Sequence, residues 1–211
     1  MKNAKIVQMS IHAMFIGLMT LMTFVPQIGF IAISPFVAFT LLHIPVLFGA
    51  VLFGWKSGLF YGVLFGALSF FRALISPVGF LDVFFVDPLI SVVPRALFGL
   101  GAGLLFDLTK SIKKNYLSKL AIAGGSVLMT IIHSLLVLVF LGLIYGPTIE
   151  ADANFVGLNF NTYWLFMGFI ILTNGIPEAI LAGILVPILS LAVSRYPRFQ
   201  LIIDAFKQEK K

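Results

Sequence analysis

Cysteine is absent from this chain, which removes disulfides, thiolate metal sites and cysteine nucleophiles from consideration. Charge is nearly as scarce. Asp, Glu, Lys and Arg make up 10% of the 211 residues and hydrophobic residues 60%, whereas soluble domains carry about 25% charge. The motifs that mark common enzyme chemistries are missing as well: no GxSxG, no HExxH and no GxxxxGK[ST] phosphate loop. The three histidines, His12, His43 and His133, have no carboxylate three or four residues on, so no helical metal motif forms. Without a phosphate loop the chain is not expected to hydrolyse ATP itself, and any active transport would draw on a partner or an ion gradient. Two matching halves, as an inverted-repeat transporter would show, are not evident either.

The sequence does contain six long apolar stretches. Placing helices at about 5–24, 37–55, 57–76, 93–111, 117–145 and 162–195 predicts an all-α integral membrane protein, one six-helix domain over residues 1–211, with about 120 positions in lipid. The apolar runs are continuous, which disfavours the alternating strands of a β-barrel. The stretch from Ile6 to Val25 exceeds the apolar core of a signal peptide and reads as an uncleaved first helix. Pro26 and Pro35 bracket the first outer connection (25–36). Pro77, Pro88 and Pro94 mark the second (77–92) as non-helical, and Gly146-Pro147 opens the third (146–161).

The charges that remain are strongly partitioned. Lys2, Lys5, Lys56, Lys110, Lys113, Lys114, Lys119, Arg195, Arg198, Lys207, Lys210 and Lys211 are 12 of the 14 basic residues, and all fall on one side of the six spans. That side is expected to be cytoplasmic, with both termini inside. The net charge of +6 therefore follows membrane topology and does not point to nucleic acid. Arg72 and Arg95 lie near the opposite face with Asp82, Asp87, Glu150 and Asp152. Long outer connections over a small bundle suggest a lid above a site open to the outside.

Each ionisable or amide group inside a span needs an explanation, because it is costly in lipid unless paired or hydrated. His133 in the fifth helix and Asn174 in the sixth each lie roughly 18 Å below the outer boundary at 1.5 Å rise per residue. Glu178 follows Asn174 by one turn on the same face. Asn174, Gly175 and Pro177 interrupt helical regularity, as expected where a helix lines a cavity. Arg72 and Arg95 place two positive charges by the mouth, suited to an anionic ligand; alternatively they pair with Asp82 and Asp87 to hold the outer loop. His133 and Glu178 alternatively form an interhelical structural bond. Trp164 is a candidate to stack on ligand or to sit in an interfacial aromatic belt. His12 and His43 read as packing or capping residues, and Asp107 with Lys110 as a surface pair. Gly58, Gly62 and Gly66, and Gly99, Gly101 and Gly103, read as close helix contacts, as do Ala13 and Gly17.

The segments HIPVLFGAVLFGWKSGLFYGVLFGALSFFRALISP (43–77), DPLISVVPRALFGLGAGLLF (87–106) and TNGIPEAILAGIL (173–185) resemble the substrate-binding S component of energy-coupling factor (ECF) vitamin transporters. The resemblance covers nearly the whole chain. It implies a subunit that captures a vitamin from outside and topples to deliver it, docked on one transmembrane coupling subunit and two ATPase subunits that consume the ATP. The chain itself then needs no cofactor and no metal. The family's small-xxx-small docking motif maps onto Ala13 and Gly17. Thr40–Ile44 and the Asp87–Arg95 segment most resemble members assigned to pantothenate, although Asp87 stands where asparagine is expected. Arg95 for a carboxylate, with Asn174 and His133 for the polar middle, would suit that vitamin. Riboflavin, pyridoxine, hydroxymethylpyrimidine and cobalamin stay open as ligands. The readings from other classes are a membrane enzyme on lipid-linked substrates, using His133 and Glu178 as acid and base, and a scaffold with no small-molecule site.

Overall fold

The computed structural model describes residues 2–25, 28–32, 38–77, 81–112, 114–155 and 162–195. Pro26, Pro35, Lys113, Arg198, Lys207, Lys210 and Lys211 lie outside the described residues. In chain order the elements are α1 (Lys2–Phe24), strands β1 (Phe30–Ala32) and β2 (Ala38–Thr40), α2 (His43–Phe53) and α3 (Trp55–Ile75). A 3-10 turn (Asp82–Val86), α4 (Pro88–Ser91), α5 (Val93–Thr109) and α6 (Asn115–Phe155) follow. The described part ends with α7 (Tyr163–Ile170), a π-helical turn (Ile171–Gly175) and α8 (Ile176–Ser194). Among the described residues five helical stretches are long and apolar enough to cross a membrane: Ile6–Phe24, Trp55–Ile75, Pro88–Thr109, Tyr116–Asp152 and Tyr163–Ser194.

Three of the expected boundaries need correction. The second helix was expected over 37–55, but α2 has 11 residues, about 16 Å of helix. Residues 38–40, expected in its first turn, are instead extended, in an antiparallel pair that sets Phe30 opposite Thr40 and Ala32 opposite Ala38. The second outer connection is largely helical. Asp87 caps α4 by accepting the Leu89 N–H at 2.9 Å, and Pro88 fills the first turn, where its missing N–H costs nothing. Pro94 opens α5 in the same way. The third connection does not begin at Gly146-Pro147, because α6 runs through Pro147 to Phe155. The segment past the proline is fixed by Ile149, fully buried beside Leu141 and Phe166, and by Glu150, whose carboxylate accepts the Tyr163 N–H at the start of α7.

Between lipid-soluble helices the hydrophobic effect offers little drive to associate, so close packing carries the load. The tightest pair is α3 with α5. A Cβ at Gly62 would land on the Arg95 carbonyl and 3.1 Å from the Gly99 Cα, and one at Gly58 would strike the Gly99 carbonyl. The two backbones therefore touch, and the first turn of α5 is fixed against the middle of α3. At one end of this pair Gly54 turns the chain between α2 and α3 with φ 82° and ψ −165°. Asp107, from the end of α5, accepts the Trp55 N–H at 3.0 Å and an ion pair from Lys110 at 2.6 Å. The expected surface pair is thus also the cap of α3.

Apolar packing falls in two groups. One joins α1, α2, α3 and α5 through Phe15, Met19, Leu47, Tyr61, Phe65 and Phe98. The other joins the 81–91 segment to α6 and α7 through Phe84, Ile90, Leu141, Ile149 and Phe166. Large apolar side chains such as Leu74, Leu108, Leu143 and Leu172 point outward, the arrangement lipid solvates and water does not.

Candidate functional site

Arg95 sits in the first turn of α5, 7% exposed. Its position follows from the α3–α5 contact, and its guanidinium from the end of α4. Nη1 donates to the carbonyls of Ile90 at 2.9 Å and Ser91 at 3.1 Å, which a helix C-terminus leaves without intrahelical donors. The cation lies over the rings of Phe85 (4.7 Å) and Phe65 (5.1 Å). No carboxylate among the described residues forms an ion pair with it, although Asp82 and Glu178 are within electrostatic reach. Among the described residues Nε has no hydrogen-bond partner. A buried cation without a counter-ion costs several kcal/mol (about 3–5 when a partner is removed), and an arriving anion would offset that cost.

His133 is brought to the same place by α6. It is 5% exposed, with its ring 4.7 Å from Phe98 and 5.5 Å from Phe65, the ring it shares with Arg95. Neither ring nitrogen is hydrogen bonded among the described residues. Asn174 lies in the π-helical turn where regularity was expected to fail, and its buried Oδ1 is unpartnered. The next residue, Gly175, packs on Ser134, with 3.4 Å from an added Cβ to the Ser134 hydroxyl. The π turn thereby meets α6 at the level of His133. π turns recur where helices are adapted to a site. Glu178, one turn on, is 6% exposed and accepts the Thr40 N–H, tying the hairpin to α8.

The unpartnered buried side-chain atoms among the described residues are few, and they cluster by residue. They are both nitrogens of His43, both of His133, Arg95 Nε, Asn174 Oδ1 and Ser69 Oγ. Each such group costs about 1–3 kcal/mol when no partner meets it. His43 and Ser69 were not among the expected site residues. His43 heads α2 within the Thr40–Ile44 segment; a histidine in an apolar run was the available signal. Ser69 lies one turn from Phe65 on α3 and carried no distinguishing signal.

Other expected residues are placed differently. Arg72 pairs with Asp82 at 3.2 Å and lies 3.7 Å above the Phe30 ring, linking α3, the 3-10 turn and the hairpin. Asp87 caps α4 and accepts from Tyr145 Oη at 3.4 Å, and does not pair with Arg95. Trp164 is 56% exposed and meets Tyr163 edge-on at 5.9 Å between centroids. Among the described residues His133 and Glu178 share no hydrogen bond. Among the described residues no three His, Asp or Glu side chains converge as a metal site.

α1 has two unlike faces. Ile11, Phe15 and Met19 turn inward, Phe15 stacks on Tyr61 at 5.0 Å, and His12 Nδ1 meets Tyr61 Oη at 2.6 Å. Ala13 and Gly17 face outward with Met9, Met14 and Leu18, and a Cβ added to Gly17 would meet nothing within 4 Å. The pair does not serve packing within the described chain.

Two named relatives are similar to this chain in sequence. The "Pantothenic acid transporter PanT" of Lactococcus lactis subsp. cremoris is 30% identical over 199 residues, covering 88% of this chain and 92% of the relative. The "Pantothenate transporter PanT" of Leuconostoc mesenteroides subsp. mesenteroides is 27% identical over 110 residues, covering 51% of this chain and 54% of the relative. The sequence profile of the family described as "ECF transporter, substrate-specific component" matches residues 7–190. A profile match across most of the chain, on a multi-pass helical membrane protein, shows that this chain belongs to the family of ECF transporter substrate-specific components.

Proposed function

We propose that the chain is the pantothenate-binding subunit of an ECF uptake transporter. It takes the vitamin from outside the cell and delivers it inward while docked on a transmembrane coupling subunit and two ATPase subunits. The charge partition supports six crossings with both termini in the cytoplasm, α2 and its hairpin together forming the second crossing. The observation that carries the reading is the buried Arg95 guanidinium, held by backbone carbonyls and lacking a paired carboxylate, beside the unpartnered atoms of His133 and Asn174. Pantothenate offers a carboxylate for the first and hydroxyl and amide groups for the others. Two relatives that bear the name of a pantothenate transporter support the choice of vitamin.

In this reading Arg95 forks onto the carboxylate, and His133 and Asn174 meet the polar middle. Glu178 holds the hairpin over the site through Thr40 and orders α8 behind it. Arg72, committed to Asp82, fixes the outer loop at the mouth and adds positive potential there. Trp164 sits at the rim, in the aromatic belt. Ala13 and Gly17 let the coupling subunit approach α1 closely.

Thermal unfolding of the purified chain against each B vitamin tests the assignment. A ligand at 100 times its Kd adds about 2.7 kcal/mol of stability, so pantothenate should raise the melting temperature and the other vitamins should not. A rise with riboflavin, pyridoxine or cobalamin and none with pantothenate overturns the choice of vitamin. No rise with any vitamin favours a scaffold.

A further inference from the structure

His43 has no part in the site as proposed, yet it is 0% exposed and neither ring nitrogen has a hydrogen-bond partner. The carbonyls of Thr40 and Glu178 lie beside the ring without closing a hydrogen bond. His133 is equally open, and His43 and Arg95 both lie within its electrostatic reach. Three separate helices, α2, α5 and α6, thus bring unsatisfied polar groups together in a protein that is otherwise apolar. Apolar packing alone does not call for a histidine here, because leucine or phenylalanine would fill the same space with no unmet hydrogen bond.

We propose that His43 and His133 form a second recognition pole for hydroxyl groups, beside the carboxylate pole at Arg95, and that His43 selects hydroxyl-bearing ligands over deoxy ones. The inference rests on the pantothenate reading. A neutral imidazole presents one N–H donor and one acceptor nitrogen. A hydroxyl both donates and accepts, so it can satisfy either nitrogen. A second carboxylate only accepts and would leave the acceptor nitrogens facing its charge. Two such rings therefore suit the two hydroxyls of pantothenate, His133 the one next to the polar middle and His43 the one beyond it, with the carboxylate on Arg95. A site whose polar groups are satisfied only by a ligand hydroxyl rejects the analogue without it.

The test is calorimetry on the full chain and its His43→Leu, His43→Gln and Arg95→Ala variants. Three ligands are compared: pantothenate, pantothenol (an alcohol in place of the carboxylate) and a pantothenate lacking both hydroxyls. His43→Leu should weaken pantothenate and pantothenol by the same factor, about tenfold or more for one lost buried hydrogen bond, and leave the deoxy ligand within about threefold. Arg95→Ala should show the opposite pattern, sparing pantothenol. The ligand-free His43→Leu protein should melt at or above the wild-type temperature, since unmet polar groups are removed; a structural histidine would give a lower one. Should His43→Leu fail to fold, His43→Gln decides by the same ligand pattern. Equal loss on all three ligands, or no loss on any, overturns the inference and leaves the pantothenate reading standing. Failure of the wild-type chain to bind pantothenate overturns both.

Discussion

Replacing Arg95 with alanine should be the most damaging single change to ligand binding. The guanidinium is 7% exposed, and its two backbone bonds, to Ile90 and Ser91, both use Nη1. Nε has no partner. Truncating one member of a buried, hydrogen-bonded charge pair costs about 2–5 kcal/mol, and each 1.4 kcal/mol is about tenfold. The pantothenate Kd should therefore rise between roughly 30-fold and 4,000-fold. Arg95→Lys keeps the charge but loses the planar fork and the fit over Phe65 and Phe85, so it should recover only part of the loss. Isothermal calorimetry on detergent-purified protein reads both values. The ligand-free melting temperature guards against a trivial explanation, because removing Arg95 also strips donors from the end of α4. An Arg95→Ala affinity within about threefold of wild type, well below the smallest loss worked out above, would refute the argument and return Arg95 to a purely structural role under α4.

Two further substitutions separate docking from folding. Gly17→Leu, on an outward face where an added Cβ meets nothing within 4 Å, should leave pantothenate affinity in detergent unchanged and abolish ATP-dependent uptake by the assembled transporter. Reduced affinity of the isolated chain would instead show that this face packs internally. Gly54→Ala should destabilise the fold by at least about 2 kcal/mol, since φ 82° with ψ −165° is a region nearly restricted to glycine and the new methyl would press on the Asp107 carboxylate. Thermal unfolding measures it, and an unchanged melting temperature would count against the strain.

What could be read from the sequence divides along physical lines. Long apolar helices declare themselves because lipid demands continuous runs, and the α3–α5 glycines declare a close contact because only hydrogen fits there. The break around Asn174 and Pro177 was legible from backbone chemistry, and a π turn stands at Ile171–Gly175. Boundaries set by distant partners were not legible. Asp87-Pro88 looks the same in a loop as in a helix start, and only the N–H of Leu89 distinguishes them. Pro147 reads as a stop until Ile149 and Glu150 find their tertiary contacts. Thr40 stays extended through its pairing with Phe30 and its bond to Glu178, 138 residues away in sequence. His43 carries little signal in the sequence, because an imidazole in an apolar run looks like filler, and only the structure shows that both its nitrogens are unmet among the described residues.

The backbone contact between Gly62 and Arg95 has a mechanical consequence. It makes the α3–α5 pair an anvil, since no side chain lies between the two main chains to rearrange and let one slide past the other. The hairpin, by contrast, is held through side chains, the Glu178 carboxylate on the Thr40 amide and the Arg72 guanidinium over the Phe30 ring. In the proposed subunit a molecule that needs room would displace these side-chain links, while the α3–α5 contact keeps the positive charge in its place.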